Sequence, residues 1–251
     1  MNLKKVLAVT GIALSLLTMG CNASDQSAKS ESLSDYYFET SEVLAQGESI
    51  DVKTLLQNLE EVTEDLGEFK VFEKEDEKLT VEINDDRVVS LMYEWQGPGS
   101  QLTIAEGNVI SRTSDVEKDE EIRKVLNENS TEMLSSYNEV ASRMSKEKVS
   151  INEVGAMLNI EPNINNEMNE NQFEETDYSF VIGDNDEIMH AYTFKGDDVV
   201  KKLNYGSNVT GDIYTTITHE FIVQADDIVF ITSSTQATLT EQKQIFDILN
   251  K

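Results

Sequence analysis

The stretch LTVEINDDRVVSLMYEWQG, residues 79–97, decides the reading of the fold. Leu79, Val81 and Ile83 alternate with Thr80 and Glu82, Asn84-Asp85-Asp86 interrupts, and Val89, Leu91, Tyr93 and Trp95 resume the alternation. A period of two marks a strand with one buried face, and a short polar break between two such runs marks a tight turn. The stretch therefore predicts a β-hairpin. A second of the same design, YSFVIGDNDEIMHAYTFKG at 178–196, follows at an offset of 99. At that offset Val81 falls on Phe180, Tyr93 on Tyr192, Trp95 on Phe194 and Gly97 on Gly196.

Outward from the first hairpin, helical spacing takes over. Leu33, Tyr36, Tyr37, Val43 and Leu44 predict one helix. Val52, Leu55, Leu56, Leu59 and Val62, with Asp51 as N-cap, predict a second. Beyond the hairpin come strands at 102–105 and 109–113, turning through Glu106-Gly107-Asn108, then a helix carrying Ile122, Val125 and Leu126. The order then returns: a helix with Leu134, Tyr137, Val140 and Met144, a helix capped by Ser150, the second hairpin, strands at 213–223 and 228–232, and a closing helix at 241–249. The last strands match at an offset of 119 instead of 99, which reads as an insertion around 196–211. An order run twice predicts an α+β chain of two tandem repeats, 32–129 and 130–251, each a helix pair packed on one face of a small antiparallel sheet.

The first residues read as processing signals. Lys4 and Lys5 precede an apolar run at 6–17, too short to span a bilayer, and Leu17-Thr18-Met19-Gly20-Cys21 resembles the lipobox of bacterial lipoproteins. The expectation is a signal peptide at 1–20, lipidation at Cys21 and a polar tether at 21–31. The protein would then sit on the extracytoplasmic face of the cell membrane, held by its acyl chain. Cys21 is the sole cysteine, so no disulfide framework is available and stability must come from burial. The formal net charge of −28 repels polyanions and excludes nucleic acid as a partner.

The phrase Tyr93-Glu94-Trp95-Gln96-Gly97-Pro98-Gly99 through Ile104, followed by Gly107-Asn108-Val109-Ile110-Ser111, resembles the domain shared by β-lactamase inhibitory protein, the small lipoprotein of the outer-membrane assembly machine and lipoproteins of Gram-positive bacteria. Their pattern runs through two short helices, a Y-x-W strand, a turn and two further strands. The resemblance implies a tandem-repeat protein-binding module and brings no catalytic residues with it. Two features of that family are missing here: the glycine that closes its second helix and the inhibitory protein's disulfides.

No catalytic constellation, cofactor motif or metal spacing stands out, so the chain reads as a non-enzyme without cofactor. His190 and His219 fall on otherwise apolar strand faces, where a partly buried, hydrogen-bonded histidine is expected. Asp184-Asn185-Asp186-Glu187 and Asp226-Asp227 read as turns rather than calcium sites. Trp95 reads as core. The residues offered for binding are those of the opposite sheet face: Thr80, Glu82, Glu94 and Thr103, with Thr193, Thr216, Thr218 and Glu220. The expected function is a cell-surface lipoprotein that binds an envelope or extracellular protein without catalysis, in an inhibitory, assembly or exclusion role. The alternative is a membrane-tethered binder of a small ligand or cation.

Overall fold

The computed structural model describes residues 32–48, 50–52, 59, 64–126, 131–167, 175–183, 187–194, 196–209, 215–224 and 227–251, without the side chains of 131–133, 165–167, 207–209, 215–216 and 224. Cys21, the expected signal and tether, Asp184–Asp186, Asp226 and most of the expected second helix lie outside them. Ser32–Lys251 forms one compact unit.

Among the described residues twelve antiparallel strands build one sheet. The first six are β1 (Glu64–Asp65), β2 (Phe69–Lys74), β3 (Glu77–Asn84), β4 (Arg87–Gly97), β5 (Ser100–Ala105) and β6 (Asn108–Thr113). The second six are β7 (Asn163–Glu167), β8 (Glu175–Ile182), β9 (Glu187–Phe194), β10 (Val200–Val209), β11 (Thr215–Gln224) and β12 (Asp227–Ser234). Each set is a meander in chain order, and the two meet where β6 pairs with β12. Tight turns join the strands where the sequence breaks: Asp85-Asp86 and Glu106-Gly107 all take positive φ, the conformation a two-residue hairpin needs to match strand twist. The helices among the described residues are α1 (Leu33–Ala45), α2 (Val116–Leu126), α3 (Thr131–Met144), α4 (Ile151–Leu158) and α5 (Leu239–Leu249). Ser150 and Thr238 open α4 and α5 with capping boxes to Glu153 and Glu241. Glu77 of β3 caps α1 from afar, accepting the Leu33 and Ser34 N–H groups at 2.9 and 3.0 Å and the Tyr93 hydroxyl at 2.8 Å.

The expectation of two repeats, each with a helix pair on its own small sheet, is overturned. There is one twelve-stranded sheet, and the reason lies in the final strand and helix of each meander. A six-stranded meander ending at β6 or β12 would expose a row of backbone donors and acceptors, and each of these strands satisfies the other's. The helices that follow straddle the join. α5, from the end of the chain, packs on α1, β5 and β6, and places Ile245, Ile248 and Leu249 in one core with Tyr37, Tyr93, Trp95 and Leu102. α2 packs against β6, β12, α3 and α5. The Tyr37 hydroxyl donates to Gln242 Oε1 at 3.1 Å, tying the first helix to the last.

The hairpin offset of 99 is corrected with it. Counted from the seam, the strand in the place of β4 is β10, not β9, so the residues read as an insertion are strand β10 itself. The partner of Tyr93 in this sense is Tyr205: the ring centroids of Tyr37–Tyr93 and of Tyr137–Tyr205 are both 5.5 Å apart, the rings tilted. Met189 and Ala191 are the core residues of β9, which turns His190, Tyr192 and Phe194 to the other face. Val89 also leaves the core, because a register shift between Glu82 and Ile83 sends Val88 inward instead.

Both hydrophobic cores take their strand residues from one face of the sheet only. Trp95 lies within the core, edge-on to Phe246 of α5 at 6.2 Å. It is the only tryptophan in the chain, so its fluorescence reports on the first meander. Ile245→Ala, in the last helix, is expected to cost about 2–5 kcal/mol. Urea unfolding followed by Trp95 fluorescence and by far-ultraviolet circular dichroism should shift by that amount in one coincident transition. Separate transitions would mean that the meanders fold independently.

Candidate functional site

With the described helices on one face, the other face of the sheet carries the remaining side chains. Antiparallel sheets tolerate such an arrangement when the open face is polar enough to be wetted. This one is mixed. Of the large apolar side chains that stay exposed, Phe69, Ile110, Val181, Ile188 and Phe194 stand on it, and Ile110 is 49% exposed at mid-sheet. They are spread over it: Phe69 on β2 and Val181, Ile188 and Phe194 on β8 and β9 lie toward opposite edges, four or more strands from Ile110.

The expected binding residues fall as follows. Thr80, Glu82, Glu94, Thr103, Thr218 and Glu220 are half-buried on the open face. Glu82 accepts from the Ser90 hydroxyl at 2.6 Å, Glu94 faces Lys78 Nζ at 3.6 Å, and Thr218 and Ser233 share a hydrogen bond. Glu220 takes Lys202 Nζ at 3.4 Å and the Asn204 amide at 3.0 Å. Thr193 is corrected: it points to the helix side of β9 and is 1% exposed, so it is no part of a docking face. Thr216 lies on β11, and its side chain is outside the described residues. Glu94 and Thr103 also border an open depression of about 600 Å³ whose rim includes Glu73, Glu75, Asp76 and Glu77. Among the described residues no group of three His, Cys, Asp or Glu is placed to hold a metal ion.

The sequence did not anticipate the polar and aromatic group at the β8–β11 end of this face. His190 Nδ1 meets Asp177 at 3.0 Å, the imidazole stacks on Tyr192 at 6.3 Å, and Lys202 Nζ lies 5.2 Å from the Tyr192 ring. Nor did it anticipate Arg112 and Ile231, cross-strand partners at the middle of the seam. Both groups depend on strand pairings between residues far apart in the chain. The outward parity of His190 and Tyr192 was the only local signal, and it was read the other way up.

Beneath the seam, on the helix side, is a buried ionic group. Arg123 and Asp119, one turn apart on α2, form an ion pair at 2.7 Å. Thr232 of β12 donates to the other Asp119 oxygen at 3.2 Å, and its hydroxyl also lies 2.9 Å from His219 Nδ1. Tyr137 stacks under the guanidinium at 4.9 Å, and Tyr205 lies 4.9 Å from the imidazole. Burial pushes the Asp119 carboxyl up to about 6, against the pull of Arg123 and Thr232. Burial first, and the neighbouring Arg123 charge second, hold His219 well below its ordinary 6.5. His219 is therefore neutral at neutral pH.

No protein-family model, curated protein or solved structure matches this chain. Among the described residues no helix is long and apolar enough to cross a membrane.

The two titrations have opposite signs. A depressed histidine contributes stability that is present above the unfolded value of 6.5 and lost as pH falls. A raised carboxyl contributes stability that is present below the unfolded value of 3.8 and lost as pH rises through about 6. His219→Gln removes the first alone. The unfolding free energy of wild type minus that of His219→Gln should fall below pH 6.5, with a slope of up to about 1.4 kcal/mol per pH unit. Urea titrations at pH 7.5, 6.5, 5.5 and 4.5 measure it, and a difference independent of pH would show that His219 titrates normally.

Proposed function

We propose that this chain is a lipid-anchored, extracytoplasmic protein that binds another protein on its open sheet face and performs no catalysis itself. The observation that carries the reading is the asymmetry of the sheet. Helices cover one face, and the opposite face bears exposed Ile110, Ile188 and Phe194 among half-buried polar residues. Exposed apolar side chains dispersed among laterally satisfied polar groups are compatible with a non-obligate protein interface, which as a whole is about as apolar as the rest of a protein surface. The carboxylates offered from the sequence are mostly engaged with neighbours on the same face, so they preorganise the surface instead of waiting for a cation. The resemblance of residues 93–111 to the β-lactamase inhibitory protein domain points to the same class of activity. The anchor rests on the lipobox at Cys21.

Two measurements test the two halves of this reading. In cells fed radiolabelled palmitate the protein should take up label, and Cys21→Ala should lose both the label and the membrane fraction. A photo-crosslinking amino acid at Ile110, on the open face, should give one discrete protein adduct in intact cells. The same group at Lys124, exposed on α2, should give none. Adducts of equal yield from both positions, or from neither, would remove the open face as the docking surface.

A further inference from the structure

Building on the open face as the docking surface, we propose that Arg112 is its anchor. It receives a carboxylate of the bound protein, with Ile110 and Ile231 taking the apolar residues on either side of that carboxylate.

The position comes first. β6 and β12 are the two middle strands of the sheet, and Arg112 pairs with Gln101 on one side and Ile231 on the other. Ile110 precedes it on the same face, and Thr103, Val229 and Ser233 complete its surround. None of these is acidic.

Charge comes second. The chain has 48 acidic and 20 basic residues, and two of its four arginines are held in ion pairs, while Arg87, beside the β3–β4 turn, forms none with the described residues. Arg123 has Asp119, and Arg143 has Glu147 and Glu153. Arg112 is exposed and forms no ion pair with any of the described residues. The nearest outward carboxylates on its two sides, Glu94 and Glu220, lie two strands away, roughly 10 Å. Each already faces a lysine, Lys78 or Lys202. Arg112 is thus a positive group at the middle of the face that no carboxylate of the described residues engages.

Chemistry comes third. A guanidinium offers a planar pair of donors that matches a carboxylate in two parallel hydrogen bonds. An arginine at the centre of an interface, ringed by apolar groups that exclude water, is where binding energy concentrates. A polyanion is disfavoured by the net charge, whereas a single carboxylate carried among apolar side chains fits.

The probe is a library of random twelve-residue peptides displayed on phage and panned on the immobilised full chain. Affinities of the selected peptides are then measured against wild type, Arg112→Ala, Arg112→Lys and Ile231→Asp, each checked for folding by Trp95 fluorescence. The selected peptides should share an Asp or Glu beside aliphatic or aromatic residues. They should bind Arg112→Ala about 30-fold more weakly and Arg112→Lys at an intermediate level. Changing the shared acid to its amide should weaken binding to wild type and add no further loss on Arg112→Ala. Peptides that ignore Arg112→Ala but are lost on Ile231→Asp would overturn the anchor and leave the docking face standing. Peptides that bind both variants as tightly as wild type would overturn both. Selection without an acidic consensus, or a panning that yields no binder, would overturn the anchor.

Discussion

The ladder between β6 and β12 is the constraint on which the rest of the molecule depends. It pairs Thr113 with Phe230, Ser111 with Thr232 and Arg112 with Ile231. Side chains alternate across a sheet, so this one register assigns both faces at once. A slip of one residue would carry Arg112 into the core and lift Thr232 away from Asp119. The Ser111 hydroxyl, donating to the Thr232 carbonyl at 3.1 Å, and Thr232, donating to Asp119, hold the ladder against that slip.

The Asp119–Arg123 pair beneath the ladder is a costly choice for a core. Removing two charges from water is only partly offset by their attraction, and an apolar replacement of equal volume is often as stable. What the pair supplies is direction. Its carboxylate reaches the sheet through Thr232, and its guanidinium lies on Tyr137 of the helix that opens the second half of the chain. Helix α2 is thereby oriented against both meanders. With α5 crossing onto the first core, that core takes Ile217, Ala237, Ile245, Ile248 and Leu249 from the second half, whereas the buried residues of the second core all come from 134–230, with Val116 of α2 packed against them.

The same geometry places the charge. Acidic residues are distributed over helices, turns and strands, and on the open face Glu82 lies beside a hydroxyl group and Glu94 and Glu220 beside lysines. On a chain of net charge −28, the groups of the open face add local recognition to a global field that disfavours polyanions. The cluster of His190, Tyr192 and Lys202 at one end, and Arg112 with Ile231 at the centre, are the parts of that surface where charge and apolar area meet.

Sequence alone determined the local elements. Alternation marked the strands at 79–97 and 102–113, polar breaks marked the turns, and Ser150 marked the start of α4, because period and capping are properties of neighbours along the chain. It also carried the charge and the lipobox. It misread the second hairpin: Ile188, Tyr192 and Phe194 alternate as well as Met189, Ala191 and Thr193 do, and periodicity cannot say which set faces the helices. Tertiary structure decided that parity, the identity of β10 as a strand and the fusion of two meanders into one sheet. It also placed Arg112 at the centre of the open face. Each of these follows from pairing between residues far apart in the chain, where backbone satisfaction and shared burial outweigh any local pattern.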